Sequence, residues 1–545
     1  MTFNVSFIHK NLALRWLYVT KGFHDAIVWE FTLKSSIPDI IRMIDQEKFD
    51  VIGMSVYIFN HEKSSDFIQQ LKKLRPDIMI IVGGPEPTYQ VKQWLNYGAD
   101  IVIRGEGEFA FWDAVDGHIS AGIATPDQPH TSILTVDLND LEVLDDPYFL
   151  PFDQHDQSKR YLYVEASRGC PFACTYCMAG IEHNVRQFSL EYMTSVFEKL
   201  RVSNIKQVKF LDRTFNLKPS RAMKLIQILN EIDREINIQL ELEVSIWDEQ
   251  LHRYLIDHGH RDRFRFEIGV QSFFEPTLQA VKRKQNNDKV EEVITSLSRA
   301  GYVVHADLIA VLPFETYDQF EKSFLRLFET QPSELQLGIL KVLSGTQIAK
   351  EEPKYKMHYQ QTPPYQISSN PWISALQIKR LNHVALAIDK TYNRPLCRTL
   401  YWHVYQKDLA LFELLGDIGS KIDELSHPYQ LKDIIDIVID VASGMLDQRI
   451  VVAAIATDMG KWSHKKPMGL PYFDKTTLDM TKMIMDIEHR TKQKKDQWIS
   501  SSWFYPALID QSVGYQWIVY PHKKRYYYTE KGDFMDEQDH FAGID

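Results

Sequence analysis

Cysteine is scarce in this chain: four in 545 residues, at Cys170, Cys174, Cys177 and Cys397. That is too few for an extracellular disulfide framework at this length and fits a reducing compartment. Apolar runs long enough to cross a membrane are missing. The most apolar late stretch, 434–455, is interrupted by Asp436, Asp440, Asp447 and Arg449. A basic-then-apolar leader is missing too, since the chain opens Met1-Thr2-Phe3-Asn4. The expected location is therefore the cytoplasm, with no membrane span. Basic excess is absent, with Lys and Arg at 62 against Asp and Glu at 73 and a net charge of −11. No nucleic-acid partner is expected from such a balance. The GxGxxG fingerprint is absent, which disfavours NAD or FAD. No internal repeat or low-complexity segment occurs. What is present is ordinary for globular protein: 44% hydrophobic and 25% charged residues. At about 150 residues per domain, the length suits three to four domains.

The first 120 residues alternate strand-like and helix-like runs. Residues 4–8, 50–56, 78–82 and 100–103 read as strands. Residues 36–47, with Ile37, Ile40, Ile41 and Ile44, read as a helix, and so do 64–74, with Phe67, Ile68, Leu71 and Leu74 on one face. Continuous apolar strands between amphipathic helices predict a parallel sheet covered on both faces, a Rossmann-like domain. Ligands in such sheets sit beyond the carboxyl ends of the strands, here near His9, Ser55, Gly83 and Gly105. Residues 121–160, with Pro126, Pro129, Pro147 and Pro151, read as a linker. A second series follows, with strands at 161–166, 207–211, 240–246, 265–270, 303–312 and 335–340, and helices at 189–200, 219–232, 288–299 and 318–328. Six such units predict a partial or full (β/α) barrel over 161–350, with its chemistry at the C-terminal strand ends. A proline-rich connector opens the last domain, 351–545, which reads as mainly helical to about 495 and then aromatic.

Three of the four cysteines fall in Cys170-Pro171-Phe172-Ala173-Cys174-Thr175-Tyr176-Cys177. Random placement would give that spacing about 0.0002 times in such a chain. The segment follows the first strand of the second series, where a barrel places its reactive centre. Thiolates bind soft metals: zinc, Cu(I) or iron–sulfur clusters. A closed structural zinc site would need a fourth ligand, which His183 could supply. On a four-iron cluster, three thiolates would leave one iron open, as a catalytic centre requires.

This CxxxCxxC spacing, with Tyr176 just before the last cysteine, resembles the radical S-adenosylmethionine (SAM) superfamily over about 160–345. The resemblance implies a [4Fe–4S] cluster on Cys170, Cys174 and Cys177. Its open iron would take the amino and carboxylate groups of SAM. One-electron reduction would then give a 5′-deoxyadenosyl radical, fed by an external donor such as a flavodoxin or ferredoxin. Further positions resemble the branch that includes the anaerobic coproporphyrinogen dehydrogenases. Phe266-Glu267-Ile268-Gly269-Val270-Gln271-Ser272, Arg283, Asp307-Leu308-Ile309 and Glu243 match it. Tyr176, Glu243, Gln271, Arg283 and Asp307 are thereby the expected SAM contacts. Acidic groups suit ribose hydroxyls, and Gln and Arg suit carboxylate or adenine edges. Where that branch carries Gly-Leu-Pro-Gly, this chain reads Val311-Leu312-Pro313-Phe314, so a differently shaped loop is expected. Asp212 and Arg213, after the second strand, read equally as site residues or as a structural ion pair.

A Rossmann-like domain before a radical SAM core resembles the cobalamin-binding subfamily. Its expected cobalamin contacts here are Ser55, Tyr57, Gly83, Gly84, Pro85, Gly105 and Glu106, with glycines admitting a bulky ligand. The DxHxxG motif that supplies a histidine to cobalt is absent, which implies cobalt without a protein imidazole beneath. His9 reads as a loop residue. The last domain resembles an uncharacterised C-terminal domain of the same subfamily, in Pro363-Pro364-Tyr365 and 375–392. Cys397 reads as a buried small residue. The tail Tyr526-Tyr527-Tyr528, beside Lys523, Lys524 and Arg525, reads as a packing strand, with a stacking pocket as the alternative.

The fold class expected is α/β: a Rossmann-like cobalamin-binding domain, a radical SAM partial barrel and a mainly helical C-terminal domain. The function the resemblance implies is a cobalamin-dependent radical SAM C-methyltransferase acting on an unactivated carbon of a small molecule. The rivals are a cobalamin-dependent cyclase, oxidoreductase or rearrangement enzyme, a radical SAM enzyme whose first domain binds no cobalamin, and a non-enzymatic cobalamin or redox sensor.

Overall fold

The computed structural model describes residues 1–462 except 233–234, then 470, 484–485, 487–489, 503–509, 511–519, 524–529 and 534–536. The chain divides into two compact units: Met1–Ser333 with Ile339–Ala375, and Glu334–Gly338 with Leu376–Asp545.

The first unit opens with β1 (Thr2–Asn4) paired in parallel with β2 (Glu30–Thr32). Beside them runs a sheet of β3 (Val51–Ser55), β4 (Met79–Gly83), β5 (Ile101–Ile103) and β6 (Ile123–Ala124), in that order. The first three are parallel, and β6 closes the edge antiparallel. The strand expected at 4–8 ends at Asn4, and β2 and β6 are additions to the expected set. The helix Ile37–Glu47 forms as its isoleucine spacing predicts, and all four isoleucines are buried. In the helix His61–Leu74, Phe67, Ile68 and Leu71 are buried but Leu74, at its end, is exposed.

The linker residues are fastened to this sheet by buried ions. Glu30 accepts hydrogen bonds from Arg15 Nη2 at 2.9 Å and Arg160 Nη2 at 2.8 Å. Arg15 in turn grips Asp153 with two bonds of 2.7 Å. Lys10 lies 3.7 Å from Asp153 and 3.9 Å from Asp156. Buried charges persist only when paired in this way.

The second series begins with β7 (Leu162–Val164) and a short hairpin of β8 (Ser167–Arg168) with β9 (Arg186–Gln187). Then β10 (Gln207–Phe210), β11 (Asn237–Leu242), β12 (Phe264–Gln271) and β13 (Val303–Ala310) pair in parallel, with β7 beside β10. The strand expected at 335–340 is β14 (Glu334–Ile339). Helices Leu190–Val202, Pro219–Asn230, Glu249–His258, Asn287–Arg299 and Tyr317–Glu329 lie between the strands. Strands β11 to β13 alternate buried and part-buried residues. Their apolar face is covered by helices, and Glu241, Glu267, His305 and Asp307 lie on the other face. Two short strands, β15 (His358–Tyr359) and β16 (Ile367–Ser369), complete this unit.

The second unit carries the helices Arg398–Gln406, Leu411–Asp423, Leu431–Ala442 and Gln448–Trp462. The helical reading to about 495 lies partly outside the described residues. An antiparallel sheet follows, of β17 (Trp503–Ile509), β18 (Ser512–Val519), β19 (Lys524–Thr529) and β20 (Phe534–Asp536). Tyr526 and Tyr527 are buried on β19, as a packing strand requires; Lys523 lies outside the described residues. Cys397 is buried, and burial pushes its thiol well above the usual range. Among the described residues no helix is long and apolar enough to cross a membrane.

Burial alone would raise the Glu30 carboxyl, but Arg15 and Arg160 outweigh it and hold it at about 2, below its ordinary 4.5. Its stabilisation is therefore complete above about pH 4.5 and is lost as the pH falls through 2. Glu30→Gln is expected to cost about 3 kcal/mol at pH 7 and to cost much less near pH 2. Denaturant unfolding of both chains across that range measures the two values, and an equal loss throughout would contradict the assignment.

Candidate functional site: a cavity beside the cysteine loop

A cavity of about 580 Å³ opens at the C-terminal ends of β3, β4 and β5. All seven expected cobalamin contacts line it: Ser55, Tyr57, Gly83, Gly84, Pro85, Gly105 and Glu106. The strand ends place them there because a parallel sheet delivers every strand–helix turn to the same edge. The cavity also takes its wall from the second series, at Tyr163, Glu165, Arg168 and Leu211. Apolar walls come from Trp16, Leu12 and Phe111 among others. Tyr57 Oη lies 3.1 Å from Asn11 Nδ2 and 3.2 Å from Ser55 Oγ, which fixes the ring at the rim.

The glycines act differently from expectation. Gly84 has φ +111°, and a Cβ there would sit 2.5 Å from the Val56 carbonyl oxygen. Gly105 has φ +92°, and a Cβ would collide with the Leu134 backbone. Both are needed for protein backbones to approach one another, and they shape the cavity floor indirectly. Around Gly83 a Cβ would have Ile103 at 3.7 Å, an ordinary contact.

His9 also lines the cavity. Its Nδ1 lies 2.6 Å from Tyr163 Oη. Burial, with Lys209 and Arg160 nearby, lowers its affinity for a proton, so the ring is neutral near pH 7.

One wall of the cavity is ionic. Arg168 lies 2.7 Å from Glu165, 2.8 Å from Glu108 and 3.2 Å from Glu106. Trp16 Nε1 donates to Glu165 at 2.6 Å. Glu106 is also held by Arg186, at 2.8 and 2.5 Å. Sequence reasoning singled out Glu106 and missed Glu108, Glu165 and Arg168. Arg168 precedes Gly169-Cys170 and Glu108 lies two residues after Glu106, so both were adjacent to residues already noted.

The cysteine loop leaves β8 two residues after Arg168's strand begins and is strapped on several sides. The Cys170 amide donates to the Glu182 carbonyl at 3.1 Å, and the Thr175 amide to Val281 at 3.0 Å. The Ile348 amide reaches the Thr175 carbonyl at 2.9 Å. All three loop cysteines are free thiols, with Cys170 and Cys174 buried. Among the described residues no three His, Cys, Asp or Glu side chains converge closely enough to share one metal ion. Three thiolates on one loop are a donor set that suits a multi-iron cluster, in which each thiolate takes a different iron.

Three of the five expected SAM contacts are linked to Cys174: Tyr176 and Arg283 directly, and Glu243 through Arg283. Arg283 Nη1 lies 4.0 Å from Cys174 Sγ, and its Nη2 is 3.2 Å from Glu243 and bonds the Gly269 carbonyl. Tyr176 bonds the Cys174 thiol. Gln271 follows a bulge in β12, with φ 70°, and its Oε1 is buried without a hydrogen-bond partner. That unfilled acceptor fits a ligand N–H, such as an adenine or amino group. Asp307 pairs across from Gly269 on β13 and lies 2.8 Å from His305 Nε2. The loop after β13 was expected to differ in shape from a Gly-Leu-Pro-Gly turn. Val311 and Phe314, at the two glycine positions, both take φ 71°, the left-handed region that glycine favours.

Asp212 does not pair with Arg213. It accepts the Ala166 amide at 2.8 Å and the Ser167 hydroxyl at 2.6 Å, while Arg213 lies 3.2 Å from Glu241. Burial raises the Asp212 carboxyl to about 6, against those two bonds. Asp212 is thus a positioning residue for the strand end that leads to Cys170.

The architecture is that of a B12-binding domain followed by a radical SAM domain. Residues 3–115 match the B12 binding domain family and residues 164–327 the radical SAM superfamily. Residues 353–497 match DUF4080, a family of unknown function. The cofactors of these two domain types are cobalamin and a [4Fe–4S] cluster with SAM. The chain is 23% identical over 305 residues to an uncharacterised methyltransferase of Pyrococcus horikoshii, covering 52% of this chain and 65% of that one. It is 22% identical over 321 residues to the cobalamin-dependent radical SAM methyltransferase TokK of Streptomyces tokunonensis, covering 53% and 47%. It thus spans about half to two thirds of the length of these curated relatives. Its fold is similar to that of the cobalamin-dependent SAM radical enzyme OxsB with aqua-cobalamin bound, at a TM-score of 0.59 and 14% identity, over 82% of this chain and 79% of that one.

Asp212→Asn keeps the size but turns one of the two accepting oxygens into an NH2 donor. It is expected to lower stability by about 1–2 kcal/mol and to lower iron retained after anaerobic purification. Unchanged iron content alongside reduced stability would restrict Asp212 to the strand.

Proposed function

We propose that the protein is a cobalamin-dependent radical SAM enzyme, a C-methyltransferase acting on an unactivated carbon of a small molecule. The observation that carries this reading is the shared wall. The cavity lined by all seven expected corrin contacts is also lined by Arg168, two residues before Cys170. A cofactor in that cavity and a cluster on Cys170, Cys174 and Cys177 would lie on one continuous surface, and such proximity is what group transfer between them needs. When bound, the cluster with SAM supplies one-electron hydrogen abstraction and cobalamin supplies a methyl group.

The chain's own residues bind and orient. Tyr176, Glu243, Gln271, Arg283 and Asp307 offer SAM both charges and an unfilled acceptor. Ser55, Tyr57, Gly83, Gly84, Pro85, Gly105 and Glu106 form the corrin seat, and the apolar wall around Trp16 keeps water from it. This reading assigns cobalamin to a domain at 1–120, a linker to 121–160, the cluster and SAM to a barrel at 161–350, and no chemistry to 351–545. The partners it requires are a small-molecule substrate and a one-electron donor such as a flavodoxin or ferredoxin, in the cytoplasm, with no nucleic acid.

Anaerobic purification from cells supplied with cobalamin is expected to give about four iron and one cobalt per chain. Reduction in the presence of SAM is expected to release 5′-deoxyadenosine, and Cys174→Ala to abolish that release. Cells expressing the chain with methyl-labelled methionine are expected to accumulate a carbon-methylated metabolite that the Cys174→Ala cells lack. Iron and SAM cleavage without cobalt would remove the methyltransferase reading and leave a radical enzyme of another kind.

A further inference from the structure

Part of the cysteine loop faces solvent. Pro171 and Ala173 are exposed there, with Phe172 half-buried between them. They are the chain neighbours of Cys170 and Cys174, so this surface lies one residue from two of the three loop thiols. Two other segments are bonded to the same loop. The Thr175 amide donates to the Val281 carbonyl at 3.0 Å, and the Thr175 carbonyl accepts the Ile348 amide at 2.9 Å. Val281 opens the run Val281-Lys282-Arg283-Lys284, and Ile348 belongs to the short helix Gln347–Lys350. Arg283 turns to Cys174 and Glu243. Lys282, Lys284 and Lys350 are exposed, and none has an ion pair or a side-chain hydrogen bond among the described residues. The runs 170–181, 276–287 and 339–350 hold no Asp or Glu, in a chain where 73 of 545 residues are acidic. The carboxylates that flank them are engaged: Glu182 by Arg186, Glu275 by Gln279, Asp288 by Arg326 and Glu351 by Lys354. A chain of net charge −11 thus has a positive rim beside an uncharged loop.

We propose that this face is the docking surface for an acidic protein that carries single electrons, with Lys282, Lys284 and Lys350 as its rim. This rests on the assignment of a reducible cluster to Cys170, Cys174 and Cys177. An acidic carrier is repelled by most of a chain with this net charge and drawn to the one rim of opposite sign. That rim brings it to the loop backbone beside Cys170 and Cys174, where the electron has least far to travel. One electron leaves the carrier and enters the cluster, and no atom is transferred. The face suits the task, because electron-transfer encounters are small, under about 1,200 Å², and combine an uncharged centre with a polar rim.

The test uses the full chain, purified anaerobically, with a flavodoxin as the probe. Its affinity is read by calorimetry at about 50 and about 300 mM salt. The higher salt is expected to weaken wild-type binding at least about fivefold. A chain with both Lys282→Glu and Lys284→Glu is expected to bind about tenfold more weakly at the lower salt and to lose most of the salt dependence. Lys350→Glu, on a separate segment, is expected to lose about threefold. Lys224→Glu makes the same charge change at an exposed position of the helix Pro219–Asn230 and is expected to match wild type. Dithionite is too small to need a docking face. Release of 5′-deoxyadenosine driven by it is expected to stay within about twofold of wild type in every variant, while release driven by reduced flavodoxin falls with affinity. Flavodoxin binding unchanged in both the double variant and Lys350→Glu would overturn the proposal. So would dithionite-driven release that falls as far as flavodoxin-driven release in both, or a wild-type chain that dithionite drives and flavodoxin does not. A wild-type chain that releases no 5′-deoxyadenosine with either reductant would instead remove the radical assignment, and this inference with it.

Discussion

Arg168 brings one positive charge to a place where Glu106, Glu108 and Glu165 meet. Two of those carboxylates follow β5 of the first sheet, and the third follows β7 of the second series. None could be buried alone, because desolvation of a lone carboxylate outweighs what packing returns. The guanidinium therefore does more than neutralise: it forces the ends of two sheets to one point. The cavity takes Glu106, Glu108, Glu165 and Arg168 into one wall at that point. Gly169 and Cys170 follow Arg168 directly, so the cysteine loop starts from the same anchor.

A second buried network acts in the same sense at the other end of the wall. Glu30 and Asp153 are joined through Arg15, and Arg160 reaches Glu30 from the segment leading into β7. The residues read as a linker are thereby fixed against β2. A flexible tether would let the two sheets sample many separations; a set of bidentate, buried ion pairs selects one. The position of β7 relative to the first sheet is thus determined twice, at Arg160 before the strand and at Arg168 after it.

Much of this was legible in the chain. The isoleucines at 37, 40, 41 and 44 announce a helix face because their period matches helical geometry, and the cysteine spacing announces a metal centre because nothing structural demands it. Strand ends could be placed because parallel sheets send their turns to one edge. What could not be read is long-range pairing. Glu106 and Arg186 lie 80 residues apart, and neither sequence neighbourhood implies the other. The glycine argument shows a related limit. Gly84 and Gly105 were correctly picked as special, yet the close neighbours are Val56 and Leu134, since a motif reveals that backbone must approach something without naming what. Asp212 failed for the same reason: its partners, Ala166 and Ser167, come from a different strand end.

The remaining constraint is conformational. Gln271, Val311 and Phe314 all hold φ near +70° at the ends of β12 and β13. Each costs on the order of 1 kcal/mol or more, and for a β-branched valine the penalty is larger. Such geometry survives only where neighbours over-determine it. Val311 is fully buried, and its carbonyl accepts Asn370 Nδ2 at 3.1 Å, while the Pro313 carbonyl accepts the Thr277 hydroxyl at 2.7 Å. These supports come from the loop before the second unit and from the helix after β12, so the strand ends are clamped from both sides. At Gln271 the left-handed turn follows a register shift against β13 and leaves the amide oxygen without a partner. The strain therefore sits at the C-terminal ends of β12 and β13, at Gln271 two residues from the Gly269 carbonyl that Arg283 bonds. A relaxed strand end would have let the Gln271 amide oxygen find a protein donor. The packing around Val311 and Pro313 holds the β13 end in place beside it.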